Sequence, residues 1–309
     1  MNRFSRFILG FSMTVALACF FLTSPTHSSP VLNAQITASD FFRLGVEKMQ
    51  HGNYQAAVED FTQAIGQKKD FVAAYSNRCL ANIQIFDYHN AIADCDRAIK
   101  NAPHLAEAYV NQGLAHYRLG DYPSAIADNN TALTLKPYDF RAYYNRGVAN
   151  AVLGNHVQAI ADYNLALSQI PPYPSAPLAD IYNDRGIAHL ELQDLLAAKR
   201  DFSVAIRLNP KDYRVYFNRG CVYGRSGDNL SAIRDFTESL KLHPANAHAY
   251  FNRGIAYHQI GYEQAAIADL HYAAQYFASF GEIASYEKTL ALIKNLEQQL
   301  SSMSEIALL

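Results

Sequence analysis

A short tripeptide returns along this chain at an almost constant interval. Asn145-Arg146-Gly147, Asn218-Arg219-Gly220 and Asn252-Arg253-Gly254 are full copies. Asn77-Arg78-Cys79, Asn111-Gln112-Gly113 and Asp184-Arg185-Gly186 are near copies, and Arg43-Leu44-Gly45 is a distant one. Their third residues stand 34, 34, 34, 39, 34 and 34 residues apart. A strict period of this length prescribes stacked helical units. Each unit is too short to bury its apolar face alone and must bury it on its neighbours. Such a chain acts through an extended surface more readily than through a catalytic pocket.

Counting each unit from seven residues before its Gly or Cys79, the units begin at Ala38, Val72, Ala106, Phe140, Ala179, Tyr213 and Ala247. Position 4 is then always aromatic (Phe41, Tyr75, Tyr109, Tyr143, Tyr182, Tyr216, Tyr250), position 20 always Ala and position 23 always Asp. Position 27 is Ala except at Ser239, and Pro stands at position 32 in five units. Small residues at positions 8 and 20 let two helix backbones approach closely, and the ring at position 4 fills the space beside them. Breaks such as Leu119-Gly120-Asp121 end one helix and start the next, and the Pro stops the second helix.

The small residue at 8, Ala at 20, the aromatic at 24 (Phe61, Tyr163, Phe202, Phe236), the small residue at 27 and Pro at 32 resemble the tetratricopeptide repeat family, of a bacterial or cyanobacterial type. The family's Trp at position 4 appears here as Tyr or Phe. The resemblance implies an all-α solenoid: a right-handed superhelix of helix hairpins with a concave groove lined by first-helix positions 2, 5, 6, 9, 12 and 13. By that analogy Asn77, Asn111, Asn145, Asn218 and Asn252 point inward to clamp a peptide backbone, since an amide both donates and accepts. Tyr144, Phe217 and Phe251 at position 5 are expected to add apolar contacts, and Asp184 takes the place of one Asn. The opposing reading is that these amides bond neighbouring first helices. The chaperone-tail clamp of some family members needs a Lys and Arg set absent here, because Phe42, Val46, Glu107 and Asn111 surround Asn77 in the deciding places.

Domain boundaries follow from the period. Residues 38–171 hold units one to four and 179–280 units five to seven, with a Pro-rich connector at 172–178. Residues 281–300 read as a capping helix, with Tyr286, Leu290, Ile293 and Leu296 or Leu300 on its apolar stripe, and 301–309 as a flexible tail. Ahead of the array, Arg3 and Arg6 precede an uncharged run from Phe7 to Leu22. This gives residues 1–28 the pattern of a signal peptide or membrane anchor, followed by a linker at 29–37, and sets the expected location as exported or membrane-anchored.

Arg at position 7 in five units faces a matching Asp at position 23, so ion pairing within or between units is expected rather than a free row of arginines. Cys79 and Cys95 fall at facing positions 8 and 24; in an exported protein they suit a disulfide, otherwise two buried thiols, and Cys221 is left over. The formal charge of −2 and the lack of a basic block argue against a nucleic-acid partner. No phosphate loop, dinucleotide fingerprint, nucleophile elbow or metal-ligand spacing occurs, so no cofactor and no metal are expected. An enzyme would need an acid–base pair such as Asp180 with His189. The leading expectation is a non-enzymatic scaffold for a protein or peptide partner, assisting an envelope or membrane complex. The alternative is a self-associating structural scaffold, so homo-oligomerisation stays open.

Overall fold

The computed structural model describes residues 36–170 and 176–306. The connector core and the N-terminal residues 1–35, where the signal or anchor was expected, lie outside the described residues. Seven hairpins follow one another: α1 (Ala38–Gln50) with α2 (Tyr54–Gln67), α3 (Val72–Gln84) with α4 (Tyr88–Asn101), α5 (Ala106–Leu119) with α6 (Tyr122–Leu135), α7 (Phe140–Val152) with α8 (His156–Gln169), α9 (Ala176–Glu191) with α10 (Leu195–Leu208), α11 (Tyr213–Arg225) with α12 (Asn229–Leu242), and α13 (Ala247–Gln259) with α14 (Glu263–Ser279). A single helix, α15 (Ile283–Ile306), closes the array. None of the described helices is long and apolar enough to cross a membrane.

Local chemistry sets the hairpin ends. The residue at position 15 adopts a left-handed conformation in all seven hairpins: Gly52, Gly120, Gly154, Gly227 and Gly261, but also Phe86 and Gln193 at φ 64° and 62°. This turn ends the first helix at no steric cost only where the residue is Gly. Asp87, Asp121, Asp194 and Asp228 then cap the second helices by accepting a backbone N–H three residues on.

The interior repeats as strictly as the sequence. The Ala at position 20 is fully buried in every hairpin. The Gly at position 8 lies under the ring at position 24: a Cβ on Gly220 would stand 2.7 Å from the Phe236 ring. Three hairpins depart from this. In the seventh, Leu270 takes the place of the ring over Gly254. In the third, Asn129 occupies the ring position fully buried, bonds Ala125 O through its amide N–H and leaves its Oδ1 without a partner. In the second, Cys79 and Cys95 replace Gly and ring and form a disulfide with Cα atoms 5.6 Å apart.

Each first helix packs on its own second helix, on the second helix before it, and on the first helices of its neighbours. Second helices show no comparable contact with one another. First helices therefore crowd together on the inner face and second helices splay outward.

Some boundaries differ from the sequence expectations. Helix α9 starts at Ala176, inside the segment read as connector. Helix α15 continues to Ile306, so it takes in most of the expected tail. On α15 the buried stripe includes Thr289, Ile293 and Leu296, whereas Leu290, expected on it, is 40% exposed. The packing follows a spacing of three and four residues from Tyr286, which selects 289 rather than 290.

Candidate functional site: the first-helix face

Successive Asn side chains at position 6 differ in what they bond. Asn77 Nδ2 donates to Ala73 O within its own helix. Asn111 is buried and its Nδ2 donates across to Ser76 O of the preceding first helix at 3.5 Å. Asn218 Nδ2 donates to Asn183 Oδ1 at 3.0 Å, again between hairpins. Asn145 and Asn252 make no side-chain hydrogen bond among the described residues and remain partly exposed. The amides thus divide among bonding their own helix (Asn77), bridging the first helices (Asn111, Asn218) and standing open (Asn145, Asn252).

The position 5 rings lean on the core more than they project. Tyr144 packs on Tyr163 (centroids 6.1 Å) and Phe217 on Phe236 (5.8 Å). Phe251 meets Phe277 edge-on at 6.3 Å, with the Lys288 ammonium 5.7 Å above its ring. Phe251, Phe277, His248, Ser285 and Lys288 border a cleft of about 220 Å³ at the capped end.

Reading three residues beyond each Asn reveals a stripe that the sequence analysis did not use. Position 9 carries Val46, Leu80, Leu114, Val148, Ile187, Cys221 and Ile255. All are at least partly exposed. An apolar row, aliphatic except at Cys221, runs along the inner face of all seven hairpins and is flanked by amides in five of them. Its type repeats while its identity does not, which is why identity alignment passes over it.

Two places on this face carry distinctive polar chemistry. In the fifth hairpin Asp184 accepts from Tyr144 Oη at 2.8 Å and from Asn183 Nδ2 at 3.1 Å. Burial raises its carboxyl above the usual carboxylate range, with Asp180 adding to the shift. Burial likewise raises the Tyr144 phenol, and the Asp184 charge adds to it. Asp180 meets Arg214 at 3.5 Å, and Arg214 is held more tightly by Asp212 at 2.6 Å. His189 lies instead near Asp194 and Asp201, so the conceivable Asp180–His189 acid–base pair is not assembled.

The second place is a cleft of about 340 Å³ among α11, α12 and α13, bordered by Cys221, Arg225, Asn229, Phe236, Asn252 and Ile255. Asn229 Oδ1 is buried there without a hydrogen-bond partner. Burial pushes the Cys221 thiol up to about 11, which keeps it a neutral, weakly nucleophilic wall.

A further cavity, about 550 Å³, lies between α2, α3 and α4. Its polar groups include Arg78, Asp94 and Thr62, which are bonded to one another. It is the space left by splayed second helices. The expected Arg–Asp pairs are all present: Arg78–Asp94, Arg146–Asp162, Arg185–Asp201, Arg219–Asp235 and Arg253–Asp269. The first and third hairpins use Lys48–Asp60 and His116–Asp128 instead. No group of metal-ligating side chains occurs among the described residues.

Comparison with known proteins agrees with this geometry. A family model described as tetratricopeptide repeat matches residues 42–106, 86–140, 110–177 and 217–281. Among solved structures, the Cut9–Hcn1 hetero-tetramer of APC/C superposes with TM-score 0.66 at 20% identity, over 72% of this chain and 43% of that one. The present chain thus spans less than half of that relative. A tetratricopeptide repeat protein from Parabacteroides merdae superposes with TM-score 0.59 at 19% identity, over 82% and 98%. YrrB, described as a TPR protein with an unusual peptide-binding site, gives TM-score 0.52 at 22% identity, over 59% and 91%. These likenesses establish the fold, and no curated protein matches by sequence. The repeat pattern, the paired helices and the family model, which covers most of the chain, agree: this chain belongs to the tetratricopeptide repeat family.

Proposed function

We propose that the inner face binds an extended peptide or protein segment, without catalysis. The observation that carries this reading is the partly exposed apolar row at position 9 beside the open amides of Asn145 and Asn252. An extended strand presents side chains to such a row and its backbone N–H and C=O groups to such amides. YrrB, a structural relative, is described as having a peptide-binding site, which accords with this reading. The Cys79–Cys95 disulfide suits an oxidising compartment and so supports export, with residues 1–28 as signal or anchor. Assistance to an envelope or membrane complex follows as the role of an exported scaffold.

The test is peptide binding by the intact repeat array and by an Asn145→Ala/Asn252→Ala double variant. Neither amide supports the fold, so circular dichroism stays unchanged while affinity drops by about tenfold, a loss of two hydrogen bonds of roughly 0.5–1.5 kcal/mol each. Equal affinity in the double variant sinks the groove reading.

A further inference from the structure

Buried carboxylates in this array come with cations, and one inward-facing carboxylate does not. Each position 23 Asp has a Lys, Arg or His partner. Asp184 has only neutral donors, the Tyr144 hydroxyl and the Asn183 amide. The nearest guanidinium, Arg214, is engaged by Asp212 and Asp180. Asp184 therefore holds a carboxylate on the inner face, largely removed from water, with no cation bonded to it among the described residues and only the more distant Arg214 acting on it.

Taking a carboxylate out of water is unfavourable unless a cation or several hydrogen bonds compensate it. Two neutral hydrogen bonds compensate in part. Five other hairpins place a neutral Asn here, so the architecture has no need of the acid. The flanking residues are those of a side-chain subsite. The Tyr144 ring borders Asp184 from the fourth hairpin, Asn218 follows from the sixth, and the aliphatic Ile187, 37% exposed, lies one turn along the same helix. One hairpin further on, the cleft at Asn252 presents the exposed Arg225, which carries no ion pair among the described residues and is free to donate to a backbone C=O of a bound segment.

Resting on the peptide-groove reading above, we propose that Asp184 determines the ligand's specificity: the bound segment carries a Lys or Arg whose cationic end pairs with the Asp184 carboxylate, followed toward the Asn252 cleft by aliphatic side chains. The aromatic ring of Tyr144 beside the carboxylate suits a guanidinium or ammonium, which is attracted by a ring face as well as by the charge.

The probe is a random display library of twelve-residue peptides, selected in parallel on the full chain and on Asp184→Asn. That variant keeps the shape and restores the amide of the other hairpins. Selected peptides are then remeasured by fluorescence anisotropy, with the basic residue replaced by norleucine. The expected result is a pool from the native chain with Lys or Arg fixed at one place, losing about tenfold in affinity on norleucine replacement. On Asp184→Asn the same replacement changes affinity less than twofold, while the neutral peptide still binds. Enriched peptides lacking a fixed basic residue, or an Asp184→Asn chain that keeps the preference, overturn the specificity assignment and leave the groove standing. A library from which neither chain enriches any peptide overturns the groove reading and this inference together.

Discussion

Arg146 joins two hairpins: its Nη1 donates to Asn130 Oδ1 on the preceding second helix at 2.7 Å, while its Nε holds Asp162 of its own hairpin at 3.0 Å. The same bridge recurs from Arg78 to Thr62, Arg185 to Asn164, Arg219 to Ser203 and Arg253 to Thr237. Gln112 completes the series by donating to Asp96. Every junction between consecutive hairpins thus carries a side-chain bond from position 7 to position 25. The aromatic side chains at position 4 extend the arrangement, with the Arg146 guanidinium 5.5 Å from the Tyr143 ring.

Removing one member of this bridge should hurt unequally. Arg146→Met keeps the packed stem but leaves Asp162, 6% exposed, with only Asn150 as donor. It is expected to cost about 2–3 kcal/mol, because an unpaired buried charge is expensive. Asn130→Ala removes one exposed hydrogen bond and should cost about 0.5–1 kcal/mol. Urea denaturation of the two variants measures the difference, and similar losses would contradict the assignment of the charge burial to Asp162.

Gln193 sits at the left-handed turn residue that five other hairpins give to Gly. Gln193→Gly relieves a Cβ clash of about 1–2 kcal/mol at some entropic cost. A net gain of about 0.5–1 kcal/mol is expected, visible as a higher thermal midpoint. A lower midpoint would show that the Gln side chain stabilises the turn by contacts outweighing the strain.

Asp184 gives a pH dependence whose sign is fixed. Burial lifts its folded-state pKa above the ordinary 3.8. Between the two values the folded chain binds more protons than the unfolded chain, so its contribution to stability is greatest below 3.8 and declines as pH rises through the folded value. Asp184→Asn removes the titration. It should stabilise the ligand-free protein by about 1 kcal/mol at neutral pH. The advantage should shrink to nothing in acid. Asp180, Arg214, Tyr117, Tyr144 and Tyr163 surround the group in both proteins, so the difference between the melts at each pH isolates Asp184. A pH-independent difference would refute the burial argument.

The disulfide occupies the place that Gly and an aromatic ring fill elsewhere, as at Gly220 and Phe236. Reducing agent is expected to lower the stability of the native chain by about 2–3 kcal/mol, as for a cross-link closing a short loop. A Cys79→Gly/Cys95→Phe double variant should lose the sensitivity to reductant and fold with the packing of its neighbours. Thermal melts with and without reductant check both halves, and an unaffected native chain would show the bond adds nothing to stability.

Much of this is legible in the amino-acid sequence. Arg at 7 and Asp at 23 always lie 16 residues apart, and the hairpin brings them face to face, so their pairing could be anticipated. The bridge to the preceding hairpin was harder to see. Position 25 holds Thr62, Asp96, Asn130, Asn164, Ser203 and Thr237, which share an acceptor oxygen but no common identity. Position 9, a groove position by the family resemblance, likewise repeats in apolar type and not in identity. On the capping helix Thr289, not Leu290, is buried, because an isolated helix pattern does not say which of two adjacent residues meets the neighbour.

By itself the sequence determined the period, the hairpin, the close Gly contact and the internal ion pairs, because each depends on residues at fixed separations inside one repeating unit. Tertiary structure alone decided which of the repeated asparagines remain open. Asn111 and Asn218 are taken up by groups on the preceding hairpin, whereas Asn145 and Asn252 are not. It also decided that Asp184 faces neutral donors while other buried acids face cations. Both outcomes depend on what the adjoining hairpin presents across a junction, and that varies from one junction to the next while the period stays the same.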